Sequence, residues 1–220
     1  GGGYEFRALA THREWGKTNR DDRHGKEVVF KPLPETEAEV RAIARILGVN
    51  PSPPDVLLNV QANETNLRSS PLQEYRYLHF ATHADLPGKV QGIQEPFILL
   101  GQVENKGKDD GFLTLSKVLG LKLQADLVVL SACVTGRGQV MEGEGVVNFA
   151  RAFQHAGSKS VVVSLWEVAS KEAVEYMTAF YGHLKSGKPR AEALRLARQG
   201  IKAKYPHPFF WAVFILHGEG

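Results

Sequence analysis

The chain has one cysteine, Cys133, in 220 residues. A lone thiol cannot close a disulfide within the chain or build a cysteine-rich zinc site. It suits a reducing compartment, so a cytoplasmic location is expected. No apolar run approaches the roughly 20 residues that cross a bilayer, and the start lacks the pattern of a secretory leader. The chain opens Gly1-Gly2-Gly3 rather than with methionine, and a piece of a longer protein is expected. Charge of one sign is not gathered anywhere. Lys and Arg number 27 against 24 Asp and Glu, and the net charge of +3 is scattered, unlike the footprint of a nucleic-acid binder. Gly136-x-Gly138 and Gly143-x-Gly145 lack both the full dinucleotide fingerprint and a Gly-Lys-Ser/Thr ending. There is no internal repeat and no low-complexity tract. The expectation is therefore no cofactor, no metal, no nucleic acid contacted directly and no membrane.

What is present is an ordinary globular composition, 43% hydrophobic and 23% charged, on a chain long enough to bury a core unaided. Residues 1 to about 26 are polar and without period, and are expected to be irregular. A single domain is expected over 27–220. Within it, Glu27–Phe30 is predicted as a short strand, and Glu35–Leu47 as an amphipathic helix lined by Ala38, Ile43, Ile46 and Leu47 and ended by Gly48. Val56–Val60 and Tyr75–Phe80 are predicted strands, with a short helix capped by Asn63 between them. Phe97–Leu100 is a further strand, 104–111 a mobile loop, and Thr114–Leu119 a short helix. The valine-rich run Leu127–Leu130 is a strand buried on both faces. Helices follow to Gly157, over Lys171–Leu184 and from Pro189. Ser160–Trp166 is a second buried strand, and His207–Leu216 closes the chain as a strand. Strands alternating with helices give an α/β fold, a mostly parallel sheet with helices on both faces.

In such sheets ligands bind outside the carboxyl ends of the strands. Cys133 stands where the central strand emerges into Thr135-Gly136-Arg137-Gly138, and His83 stands beyond the strand that ends near Phe80. Histidine is the usual general base for a thiol. A small buried hydrophobe is the other reading of Cys133, and a loop histidine satisfied by backbone groups the other reading of His83. His79 is placed inside the sheet, and His207 is given a structural role.

Leu78-His-Phe-Ala-Thr-His-Ala84, Leu127-Val-Val-Leu-Ser-Ala-Cys-Val-Thr-Gly136, residues 144–157, Ser160-Val-Val-Val-Ser-Leu-Trp166, Leu33-Pro-Glu-Thr-Glu-Ala-Glu39 and His207-Pro-Phe-Phe-Trp-Ala-Val-Phe214 together closely resemble the CHAT domain, a caspase-like peptidase domain related to caspases and separases. The resemblance covers roughly residue 30 to the end. It implies a caspase-like three-layer sandwich and a cysteine endopeptidase with His83 and Cys133 as its dyad, at adjacent strand ends. The backbone N–H groups of Ala84 and Cys133 would form the oxyanion hole. Asp85, Ser131, Ser164, Trp166 and Glu167 would border the substrate, with Asp85 and Glu167 as acids that favour a basic residue before the cut. The expected partners are a protein or peptide substrate and an activating protein or companion repeat domain, in a bacterial-type signalling or defence role. The chain departs from the usual family pattern where Ala84 replaces glycine, Val134 replaces an acid, and Ala169-Ser170 replaces an acidic pair. A catalytically silent scaffold that binds a partner is the alternative function.

Overall fold

The computed structural model describes residues 5–11, 21–22, 25–26, 28–134, 144–166 and 171–220, without the side chains of 133, 134 and 144–146. Its centre is an eight-stranded sheet. Strand β1 (Phe6–Ala10) is followed by α1 (Glu35–Leu47), β2 (Val56–Leu58), α2 (Glu64–Arg68) and β3 (Tyr77–Asp85). The hairpin β4 (Phe97–Leu99) and β5 (Phe112–Thr114) precedes α3 (Leu115–Leu119) and β6 (Leu127–Val134). Helix α4 (Glu144–His155), β7 (Ser160–Ser164), α5 (Lys171–Lys185), α6 (Arg190–Lys204), α7 (Pro208–Trp211) and β8 (Phe214–Gly218) complete the order. The strands run β2-β1-β3-β6-β7-β8, parallel except for β8, with β4 and β5 branching antiparallel from the far end of β3.

Side-chain alternation divides the core. Leu78 and Phe80 of β3 and Val128 and Leu130 of β6 pack with Leu67 of α2, Val118 of α3 and Phe149 and Phe153 of α4. Tyr77, Ala81, Leu127 and Val129 face the opposite layer, built from α1, α5 and α6. Every residue of β3 is buried, as expected for a strand covered on both sides. The result is the caspase-like three-layer α/β sandwich. Gly157 ends α4 at φ +114°, where a Cβ would meet the Leu123 carbonyl oxygen at 2.1 Å. Only glycine takes that backbone that close to the main chain of the segment between α3 and β6.

Several elements differ from the sequence expectation. Residues 6–10, expected to be irregular, form β1 in the sheet interior, paired in parallel with β2 and β3. Val28–Phe30, expected to be a strand, has no regular structure. The strand predicted to stop at Phe80 continues to Asp85, so His83 lies within it. The closing strand is interrupted: His207 Nδ1 accepts from the Phe209 N–H and caps α7, and only Phe214–Gly218 joins the sheet. The inner stripe of α5 is Ala173, Tyr176, Met177, Phe180, Tyr181 and Leu184, with Val174 and Thr178 at its margin.

The loop 104–111 is tied down from α2. Glu64 is fully buried and accepts from Arg68 Nε at 3.0 Å, Lys117 Nζ at 2.8 Å and the Asp110 N–H at 3.2 Å. Thr65 Oγ1 donates to Asp109 and accepts from the Lys106 N–H. Removing Glu64 takes one carboxylate from each of two partly exposed cations, which keep Asp109 and Asp110 as partners, and leaves the Asp110 N–H without its acceptor. Glu64→Ala is therefore expected to lose about 2–3 kcal/mol of stability, below the full cost of breaking a wholly buried pair. Urea unfolding of the two proteins measures it.

Candidate active site

β3 and β6 form an unbroken parallel ladder of eight pairs, from Tyr77 with Leu127 to Ala84 with Val134. Within it the Cα partner of His83 is Cys133. Two residues separated by 50 positions in the chain thus meet at the carboxyl ends of two neighbouring strands. Register partners on parallel strands occupy the same face of a sheet. The side chain of Cys133 lies outside the described residues.

The surroundings of His83 are well defined. The residue is 2% exposed. Its ring lies 5.2 Å from that of Phe30, tilted by 46°. Nε2 is 2.7 Å from the carbonyl oxygen of Lys31. A carbonyl oxygen only accepts, so Nε2 carries the hydrogen, and in the neutral ring Nδ1 holds the lone pair. The segment that supplies these contacts, 28–33, runs across the end of the sheet just before α1. Val28, Phe30 and Leu33 turn inward, and Val29 is 60% exposed. Phe30 packs with Val90, Ile93, Phe97, Leu99 and Phe112 in a small cluster of its own.

The strand end is braced where its neighbours change. β1 pairs with β3 as far as Ala81, and β4 takes over at Ala84 and Asp85. Between them Thr82 Oγ1 donates to the Leu99 carbonyl and so accepts from Thr11 Oγ1, 2.6 Å away. Ala84 is buried and has no positive φ, so alanine meets no conformational penalty where the family pattern has glycine.

The five expected substrate-bordering residues fare differently. Asp85 is 2% exposed, accepts from the Leu86 N–H at 2.9 Å and pairs with Lys89 at 2.7 Å. Its charge is matched inside the fold rather than offered at an open rim. The Ser164 hydroxyl donates to the Ala132 carbonyl at 2.8 Å and accepts from the Ala132 N–H at 3.3 Å, tying β7 to the end of β6. Ser131 is buried one turn of the pleat below Cys133. Trp166 is half-buried; its indole N–H donates to the Phe209 carbonyl, and its ring stacks on Phe209 at 6.1 Å. Trp166 lies two residues past the end of β7, which flanks β6 on the side opposite β3. Glu167 and the pair Ala169-Ser170 lie outside the described residues. Among the described residues no group of three or more His, Cys, Asp or Glu is arranged to hold a metal, and no helix is long and apolar enough to cross a membrane.

Sequence reasoning missed Phe30 and Lys31. The contribution of Lys31 is a main-chain oxygen, which no side-chain pattern encodes. Pro32 and Pro34, which stiffen the crossing segment, were the available signal.

A doubly covered parallel sheet with histidine and cysteine in register at its carboxyl edge is the arrangement of caspase-like proteins. The sequence profile of the CHAT domain matches residues 6–219, and the chain belongs to that family. Tetratricopeptide repeat protein 28 is similar at 27% identity in mouse and 28% in human, in each case over 87% of this chain. The chain spans 9% of the length of these curated relatives.

The hydrogen-bond geometry sets a spectroscopic expectation. In ¹⁵N-histidine NMR the neutral form of His83 should be the Nε2–H tautomer. An Nδ1–H signal assigned to this ring would contradict the Lys31 contact.

Proposed function

We propose that the chain is a cysteine endopeptidase acting through His83 and Cys133. The observation that carries this reading is the register pair itself, combined with the Nε2 bond of His83 to the Lys31 carbonyl. That bond leaves Nδ1 as the basic nitrogen. Nδ1 takes the proton of the Cys133 thiol, and the sulfur attacks the scissile carbonyl carbon. The carbonyl π electrons move to oxygen, and the N–H groups of Ala84 and Cys133 receive the oxyanion; one such donor is commonly worth about 3 kcal/mol. The proton then passes from Nδ1 to the leaving amine as the C–N bond breaks. Water cleaves the thioester and restores the thiol. Through the imidazolium stage the Lys31 carbonyl continues to accept from Nε2 and stabilises the positive ring.

An extended substrate would lie along the carboxyl edge of β6 and β7, bordered by Ser131, Ser164 and Trp166. With Asp85 matched by Lys89, preference for a basic residue before the cut would rest on Glu167. Family membership supports the chemistry, and the name of the relatives supports a companion repeat segment as activator. The relatives' name does not mention a peptidase, so the competing reading is a CHAT module that binds a partner and cuts nothing.

Two substitutions separate these readings. Cys133→Ala is expected to abolish cleavage of a substrate found by comparing proteomes incubated with each protein. His83→Ala is expected to lower kcat/KM by at least about a hundredfold, the usual scale for a general base. Fragments that persist with Cys133→Ala, or a Cys133 that resists an electrophilic peptide probe with the repeat partner present, would leave the binding module as the function.

A further inference from the structure

Beneath the site, on the same strand and the same face, lies a polar cluster that the chemistry above does not use. His79 is fully buried. Its Nε2 is 2.9 Å from Glu39 Oε1 of α1, and its Nδ1 is 3.1 Å from the Tyr181 hydroxyl of α5. Glu39 is 3% exposed and Tyr181 fully buried. A carboxylate oxygen accepts, so Nε2 carries the hydrogen and Nδ1 takes the hydroxyl hydrogen of Tyr181. Burial holds the Tyr181 phenol well above its ordinary pKa, so it keeps that hydrogen. Phe6 closes one side, with its ring 5.9 Å from Tyr181 and 6.4 Å from His79. An ionisable pair in such a place is a poor source of stability, because apolar residues of similar volume do as well or better. Its position suggests another use.

The contacts form a closed path that starts and ends on β3. His79 holds Glu39, in the second turn of α1. One turn earlier Thr36 Oγ1 donates to the Leu33 carbonyl at 2.8 Å and lies 3.2 Å from the Thr11 carbonyl. Leu33 belongs to the crossing segment, which Pro32 and Pro34 make stiff. Two residues before Leu33, the Lys31 carbonyl meets His83 Nε2. His79 and His83 are four residues apart on one strand, about 13 Å at the usual rise. We propose that Glu39, His79 and Tyr181 are positioning residues: they fix α1 and the segment ahead of it so that the Lys31 carbonyl sets the tautomer and orientation of His83. The inference rests on the peptidase reading for its purpose, but not for its geometry.

The test uses Glu39→Ala, Glu39→Gln and Tyr181→Phe in the 220-residue chain. Two readouts are taken: the His83 Nε2–H resonance in ¹⁵N-histidine NMR, and the pH profile of iodoacetamide alkylation of Cys133. Neither requires a substrate, so a chain that cuts nothing still answers the question. Glu39→Ala is expected to lose the His83 Nε2–H signal to solvent exchange and to slow alkylation near neutral pH about tenfold, as loss of an orienting partner does. Glu39→Gln keeps an acceptor oxygen and is expected to stay within about twofold of the parent, since one neutral bond replaces a charged one. A folded Glu39→Ala protein with the parent's signal and profile, merely melting earlier, would reduce the cluster to a structural pair and overturn the proposal. If Glu39→Ala does not fold, Tyr181→Phe decides. It keeps the ring and loses one bond, and an unchanged His83 signal and profile there would equally overturn it.

Discussion

The interaction on which the site depends is the parallel ladder between β3 and β6. Eight consecutive residue pairs fix it, and the seventh is His83 with Cys133. A slip of one residue would move every side chain of β3 to the other face. The two faces are not alike. Phe80 packs against Phe153 at 5.5 Å on the α4 side, whereas His79 meets Glu39 and Tyr181 on the α1 and α5 side. A slipped strand would bury an imidazole among aliphatics and leave a carboxylate without its donor. The buried polar cluster thus penalises the wrong register more than it strengthens the right one, which is the best-attested use of such groups.

The carboxyl end of β3 is also where the sheet changes composition. Up to Ala81 its neighbour is β1, and from Ala84 it is β4. At the exchange the Thr82 hydroxyl meets the Leu99 carbonyl and accepts from Thr11 Oγ1, and the Thr11 N–H meets the Ala81 carbonyl. On the other flank β7 stops pairing after Val163, and the Ser164 hydroxyl bridges to Ala132. Ser131 is therefore the first position on β6 with no β7 partner in the recorded register, and Cys133 lies two residues beyond it. Regular structure carries the residue to the edge, and irregular structure frames it there. Binding sites in open α/β sheets arise for the same reason.

The repeating parts of this architecture were legible in the sequence. The apolar runs at 127–130 and 160–164 announced buried strands, and the α1 boundaries followed from first-turn acids and Gly48, whose φ is +78°. The residues that depart from period were not. β1 carries Arg7 as its second residue, a type that suggests exposure; in the fold its guanidinium lies 4.6 Å from the centre of the Tyr75 ring and donates to the Tyr75 hydroxyl. The inner face of α1 includes Glu39 and Thr36, which a hydrophobic pattern assigns to solvent, and Ala38 is exposed instead. The closing segment 208–216 is apolar throughout, and composition alone cannot reveal that His207 caps a helical turn before the strand. The same limit governed the site. His83 and Cys133 were readable because they sit at strand ends, whereas Lys31 acts through an oxygen common to every residue.

The misplaced residues share a physical feature. Arg7, Thr36, Glu39 and Asp85 are polar side chains at buried positions, each tied to a partner distant in sequence or to main chain. A hydrophobic core tolerates many apolar sequences of similar volume, so its pattern specifies the fold class and little more. A buried polar group tolerates few neighbours, because each donor or acceptor must be met. Apart from Arg7, these groups crowd around β3 and the segment before α1, where the position of one imidazole is decided. In this chain the apolar periodicity builds the sandwich, and the polar exceptions to it determine how accurately His83 is held over the neighbouring strand.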